Sequence, residues 1–73
     1  MKLRNSEGRN IKLTGMQSYC FVFIKNNPNC TVTEIYENND CNYTIDRFSF
    51  ENWFKVLEVL KLVKSKNGYY NLN

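Results

Sequence analysis

Hydrophobic residues recur at helical spacing in the stretch from residue 15 to residue 27. The positions of this stripe, at intervals of three and four, are Met16, Tyr19, Cys20, Phe23 and Ile24. The spacing predicts an amphipathic helix, which Thr14 is placed to cap and Pro28 to stop. Phe21 and Val22 widen the apolar surface beyond one face, so the pattern leaves a buried strand open as the alternative.

A second, shorter helix is predicted over residues 31–39. Thr31 and Glu34 have the spacing of a capping box. In that motif the Thr hydroxyl accepts from the Glu backbone N–H, and the carboxylate reaches back to the Thr backbone N–H. The residues expected to form the buried face of this helix are Val32, Ile35 and Tyr36.

A third helix is predicted over residues 49–61, where the pattern is most regular. Ser49 is its expected N-cap, and residues 40–48 before it have no clear period and are interpreted as a connection. The stripe that follows, at steps of four, three and three, is Phe50, Phe54, Leu57 and Leu60.

The last segment, residues 62–72, is predicted to be a β-hairpin. Asn67-Gly68 lies between residues with high strand propensity, and this pair favours a type I′ turn because both central positions need positive φ.

Residues 1–13 leave two structures open. Their turn-forming residues 5–8 fit a short hairpin, whereas their basic residues fit a disordered arm equally well.

Length and charge narrow the classes of protein. A chain of 73 residues forms one domain at most. Its net charge of +3 is concentrated at the two ends, in residues 1–12 and 47–73, around an acidic centre. If the two ends meet in space, they form a positive face suited to a phosphate backbone.

The chemistry-bearing residues do not form a recognisable catalytic or metal-binding motif. Cys20, Cys30 and Cys41 are widely spaced and the chain has no His. We therefore expect the three cysteines to be small hydrophobic residues of the core. We do not expect them to form a zinc site or a disulfide framework, or to act as a nucleophile. The expectation is a protein that is not an enzyme and has no metal, cofactor or small-molecule ligand. The absence of a signal peptide and of a membrane-spanning apolar run favours the cytoplasm.

The order of elements resembles that of the winged helix-turn-helix family. The matching segments are residues 27–35, which enter the second helix, and residues 57–70, which pass from the third helix into the hairpin. The resemblance implies an α+β fold of three helices with a small C-terminal β-hairpin wing. That domain covers residues 14–73, after a basic N-terminal arm or short strand at 1–13. The 40–48 connection is longer than the tight turn usual in the family.

The resemblance further implies double-stranded DNA as the partner. A recognition helix places its N-terminal residues against base edges in the major groove. The third helix then contributes Ser49, Glu51, Asn52, Trp53 and Lys55. The residues just before it that are expected near DNA are Tyr43 and Arg47. The wing contributes Lys64, Lys66 and Asn67, and the N-terminal segment contributes Arg4 and Arg9.

Structural alternatives accompany these assignments. Trp53 is also consistent with a residue of a small core. Lys64 and Lys66 are also consistent with charged residues that protect the edge of a sheet from pairing with another chain. Because one module buries a small interface, we expect a homodimer or a cooperative array on DNA. The spare apolar positions for such a contact are Phe21, Val56 and Val59.

The function expected from the resemblance is sequence-specific binding of duplex DNA to regulate transcription. One alternative is an accessory DNA-binding protein of a plasmid or phage, acting at an origin of transfer or in recombination. A second alternative, of another class, is a winged-helix module that binds a protein instead of DNA.

Overall fold

The computed structural model describes residues 1–38 and 45–73. Their fold is α+β and consists of three helices and two antiparallel hairpins. In chain order the elements are β1 (Lys2–Arg4), β2 (Asn10–Lys12), α1 (Met16–Asn26), α2 (Val32–Glu37), α3 (Arg47–Val59), β3 (Val63–Lys66) and β4 (Tyr69–Leu72). Most of the predicted 40–48 connection lies outside the described residues, as do the predictions for Cys41 and Tyr43.

The first apolar stretch is the helix α1, and the strand alternative is wrong. The backbone at Gly15 has φ 57°, and the helix has no side-chain cap at its start, so the predicted cap at Thr14 is wrong. Phe21 is buried with 8% of its surface exposed. It belongs to the core, because the apolar surface of α1 is covered over more than one face. The prediction that Phe21 is a spare position for a dimer contact is therefore wrong.

The predicted cap of α2 is confirmed. The Glu34 backbone N–H donates to the Thr31 hydroxyl at 3.2 Å. The Glu34 carboxylate lies 3.4 Å from the same hydroxyl, which donates to it, so the reach back to the Thr31 backbone N–H is replaced by a contact between side chains. Val32 and Ile35 are buried, whereas Tyr36 is exposed. The predicted burial of Tyr36 is wrong, because 45% of its surface is exposed at the C-terminal end of this six-residue helix.

The helix α3 begins two residues earlier than predicted, at Arg47. Its N-cap is Asp46, whose carboxylate accepts from the Ser49 backbone N–H at 2.7 Å. Ser49 is therefore a residue of the first turn, and its prediction as N-cap is wrong. A carboxylate three residues earlier provides the same acceptor, together with a negative charge that favours a helix N-terminus.

The C-terminal end of α3 is closed by backbone geometry. Lys61 has φ 62°, its N–H donates to the Glu58 carbonyl at 3.0 Å, and the Leu62 N–H donates to the Leu57 carbonyl at 3.1 Å. These are the two hydrogen bonds of a Schellman motif. The chain leaves the helix there and enters β3.

Both hairpins are antiparallel and close with short turns. The predicted Asn67-Gly68 turn is confirmed, with φ 55° and 83° at the two residues. Residues 1–13 form the hairpin of β1 and β2, with Leu3 opposite Ile11, and not a disordered arm. Leu3 and Ile11 pack against the core while their neighbours along the strands are exposed.

The core lies between α1, α2 and α3 and is covered at one side by the C-terminal hairpin. The fully buried residues of α3 are Phe50, Phe54 and Leu57. The Tyr70 ring on β4 packs edge-on against Phe54 at 4.8 Å between centroids. None of the helices within residues 1–38 and 45–73 is long and apolar enough to cross a membrane.

Candidate nucleic-acid interface

The exposed face of α3 lies opposite its core residues. Phe48, Asn52 and Lys55 are exposed and lie four and three residues apart, so they share one side of the helix. Phe48 has 68% of its surface exposed, although it is a large apolar residue. The N-terminal half of this face therefore presents an aromatic ring, an amide and an ammonium to solvent.

A row of alternating charges runs along the neighbouring side of α3. The Glu51 carboxylate is paired with the Arg47 guanidinium at 3.6 Å and with the Lys55 ammonium at 3.3 Å. Arg47 also donates from Nε to the Thr33 hydroxyl of α2 at 3.1 Å. Exposed pairs of this kind contribute little stability. Their effect is to orient Arg47 between α2 and α3 and to neutralise the carboxylate.

A groove separates this side of α3 from the turn of the C-terminal hairpin. Its volume is about 320 Å³, and its lining comprises Thr31, Val32, Thr33, Arg47, Glu51, Asn67, Gly68, Tyr69 and Tyr70. Three residues predicted as DNA contacts, Arg47, Glu51 and Asn67, are thus brought together. They come from positions up to twenty residues apart, because the Schellman turn folds the hairpin back beside the helix.

The two faces of β3 have different surroundings. Val63 is buried and Ser65 donates to the Glu58 carboxylate of α3, so these alternate positions face the helix. Lys64 and Lys66 lie on the opposite face, beside a surface depression lined also by Asn29, Tyr69 and Asn71. Both lysines are exposed, and Lys66 directly precedes the turn. The structure therefore places Asn67, more than Lys64, next to Arg47.

Trp53 lies away from the charged row. It is half-buried, packs against the core, and meets the Phe50 ring edge-on at 5.7 Å between centroids. It lies two positions along the chain from both Glu51 and Lys55, which places it on a different side of the helix. Its surroundings are those of a core residue.

The N-terminal hairpin, with Arg4 and Arg9, lies at the other end of α3. The Asn5 side chain donates to the Leu60 carbonyl at 2.8 Å, and the Ser6 N–H donates to the Lys61 carbonyl at 3.2 Å. The two chain ends also meet, because the Asn73 side chain donates to the Ser6 hydroxyl at 3.1 Å. The cations of the hairpin are thus separated from Arg47 by the length of α3, about 18 Å at 1.5 Å per residue.

Burial and hydrogen bonding shift the pKa values of three titratable groups near this interface. The pKa of the Tyr70 hydroxyl is raised, first by burial and then by the carboxylates of Glu58 and Glu51. Burial, helped by the Glu34 carboxylate, raises the pKa of the Cys30 thiol to about 11. The Ser49 backbone N–H, which donates to the Asp46 carboxylate at the start of α3, lowers the pKa of Asp46.

Phe48 is the residue of this surface that sequence reasoning missed. The sequence pattern assigns it to the 40–48 connection because Ser49 is the N-cap that the pattern predicts. The signal that identifies it is Asp46, which stands three residues before Ser49 and is an equally good cap. Comparison of the chain with protein-family models, with curated proteins and with solved structures found no match.

Proposed function

We propose that this protein is a winged helix-turn-helix domain that binds double-stranded DNA at specific sequences. The observation that carries the proposal is the groove in which Arg47 and Glu51 of α3 meet the Asn67-Gly68 turn. A helix beside a hairpin tip fits a duplex, because the helix enters the major groove while the tip reaches the flanking backbone.

The exposed side chains divide by their chemistry. Asn52 is proposed to pair with adenine N6 and N7 from the outer face of α3. Arg47, Lys55 and Lys66 are proposed to bind phosphates, which position the helix without reading sequence. Glu51 then acts by holding Arg47 and Lys55 in place, since both ion pairs occupy its carboxylate.

The N-terminal hairpin extends the proposed footprint. Arg4 and Arg9 lie beyond the C-terminal end of α3, and cross-strand pairing sets Lys2 opposite Lys12. Like charges directly opposite each other destabilise a hairpin. A phosphate backbone against this face would neutralise them, so the hairpin is proposed as a second, sequence-independent contact.

The proposed biological use is regulation of transcription, or accessory DNA binding on a plasmid or phage, in the cytoplasm. Both uses require more contacts than one small module offers. A homodimer is proposed to supply them, with Val59 as the contact, because it is 77% exposed at the far end of α3 from the groove. Val56 lies one turn earlier on the same side and is also exposed.

The test is selection of bound sequences from a random duplex pool, followed by titration of the affinity against salt concentration. The expected result is an enriched motif and a steep loss of affinity with salt. Asn52→Ala should relax the sequence preference, whereas Lys66→Ala should weaken binding to all duplexes alike. Equal effects of both changes on every sequence would contradict these roles.

A second candidate function is the binding of a protein. It is favoured by the exposure of three apolar side chains along α3, Phe48, Val56 and Val59, since apolar surface is what a protein partner buries. In that case the selection should enrich no motif, and any partner affinity should change little with salt.

A further inference from the structure

Phe48 occupies the position on α3 where a helix docked in a major groove first meets base edges. It is the second residue of the helix, and N-terminal residues of such a helix contact the bases. It is also the most exposed of the aromatic residues that the structure describes. Packing of the core does not account for a ring left in water at this position.

The neighbours of Phe48 have the chemistry of a DNA-reading surface. Asn52 lies one turn further along the same side, and Arg47 and Lys55 flank it with positive charge. The Glu51 carboxylate beside this side is already paired with both of those cations. A surface with an apolar centre and a basic border is complementary to a groove whose walls are phosphates.

We infer that Phe48 reads the C5-methyl group of a thymine in the duplex bound by α3; this inference rests on the proposed DNA binding. A phenyl ring neither donates nor accepts a hydrogen bond to a base edge. Among the groups that the major groove presents, the thymine methyl is the apolar one and is contacted by Phe.

The distance between Phe48 and Asn52 sets where that thymine lies. Four residues of α-helix rise about 6 Å, and base pairs are spaced about 3.4 Å apart along a strand. The thymine read by Phe48 is therefore expected within about two base pairs of the adenine read by Asn52. The recognised site is therefore expected to carry A·T pairs at the positions that these two residues read.

A second copy of this chain is a poorer occupant of this face. A symmetric contact through Phe48 would bring two surfaces of the same composition together, each bordered by Arg47 and Lys55. Like charges that meet across an interface oppose association. The phosphate walls of a groove supply the negative charge that a second copy lacks here.

The experiment uses the full chain and the duplex selected from the random pool. Each thymine of that duplex is replaced in turn by deoxyuridine, which removes the methyl group and leaves every hydrogen-bonding group in place. At one position near the adenine contact, the wild type should lose affinity by about four-fold. This is the change in affinity expected when the burial of one CH₂-sized group is lost. Phe48→Ala should bind the thymine and uracil duplexes equally. Tyr36→Ala, which removes an exposed aromatic ring on α2, should keep the four-fold difference.

Three results would overturn the inference while leaving the proposed function standing. The first is that the wild type binds every deoxyuridine duplex as well as the original. The second is that Phe48→Ala still distinguishes the two duplexes. The third is that Phe48→Ala turns a dimer into a monomer in sedimentation, which would assign the face to a second copy. A wild type that binds no duplex at all would instead overturn the proposed function, and this inference with it.

Discussion

At the scale of single residues, Asn5 joins two parts of the fold that are distant in sequence. Its side-chain oxygen accepts from the backbone N–H groups of Glu7 at 3.0 Å and Arg9 at 2.8 Å. Its side-chain nitrogen donates to the Leu60 carbonyl at 2.8 Å. The side chain is 8% exposed, so all three bonds are largely shielded from water. One amide thus shapes the first turn and attaches it to the end of α3.

We expect Asn5→Ala to lower the free energy of unfolding by about 2–3 kcal/mol, because three hydrogen bonds are lost and their partners are left partly buried. Urea denaturation followed by circular dichroism measures the change. Asn10→Ala is the matched control, since Asn10 is exposed, and it should change stability by less than about 0.5 kcal/mol. Similar losses for both variants would contradict the role of Asn5.

Lys61 has a backbone conformation that favours glycine. Its φ of 62° lies in the left-handed region, where a side chain is strained. Lys61→Gly should therefore raise the free energy of unfolding by about 0.5–1 kcal/mol. Lys64→Gly in β3 should lower it, because Lys64 has no positive φ to relieve and glycine weakens a strand. Thermal melting of both variants beside the wild type checks the opposite signs.

Asp46 makes stability depend on pH. Its pKa is lowered in the folded state by the Ser49 backbone N–H, below the ordinary value of 3.8. The unfolded chain therefore takes up the proton first. The contribution is fully present above pH 3.8 and is lost as the pH falls through the lower folded pKa. Asp46→Asn keeps the cap acceptor without the charge, so its unfolding free energy should depend less on pH below 4. If the unfolding free energies of the two proteins fell equally with pH below 4, this role of Asp46 would be contradicted.

At the scale of elements, the position of the C-terminal hairpin depends on one junction. The backbones of Cys30 and Tyr70 exchange two hydrogen bonds, at 3.2 Å and 2.7 Å, and the Tyr70 ring packs against Phe54. The segment between α1 and α2 is thereby tied to β4. This junction holds the hairpin turn beside α3, and so it forms the groove of the proposed interface.

Cys30 reports whether this junction is closed. Its thiol is buried and its pKa is raised to about 11, so alkylation at pH 8 should be slow. Tyr70→Ala should speed the alkylation of Cys30 by about ten-fold or more, because local opening exposes the thiol. Tyr70→Phe keeps the ring and should leave the rate near that of the wild type. Peptide mass spectrometry measures the modification at Cys30. Equal rates in all three proteins would show that the Tyr70 ring does not hold the junction closed.

At the scale of the whole molecule, the two basic segments lie at opposite ends of α3. Arg47 borders the groove at one end, and the hairpin that carries Arg4 and Arg9 is attached at the other. Under the proposed function, a bound duplex extends along the whole helix. The number of phosphates contacted at each end is then measurable separately.

Replacing both Arg4 and Arg9 by Gln should reduce the slope of log affinity against log salt by about 1.8, since each phosphate contact contributes about 0.9. The sequence motif obtained from the random pool should stay the same, because phosphate contacts carry no sequence information. Lys25→Gln, on the last turn of α1, is the control and should leave the slope unchanged. An unchanged slope in the double variant would show that Arg4 and Arg9 of the hairpin do not contact phosphates of the bound duplex.

The amino-acid sequence by itself determined the elements whose signals are local. The Thr31 cap of α2 and the Asn67-Gly68 turn were both predicted from neighbouring residues, because capping and turn formation are decided within a few positions of the chain. The period of the apolar residues located all three helices for the same reason. Local signals failed at two helix starts: Asp46 and Ser49 were equivalent candidates for the cap of α3, and α1 begins after Gly15 without the predicted Thr14 cap.

Only the tertiary structure decided which side chains remain exposed and which of them meet. Phe21 and Tyr36 both follow an apolar pattern, yet one is buried and the other is not. Whether each side chain is buried depends on the elements that pack over it, and those elements lie far away in sequence. The exposure of Phe48 and the attachment of the first hairpin to Leu60 have the same origin. Contacts between distant residues arise when the helices pack, and no short segment of the chain encodes them.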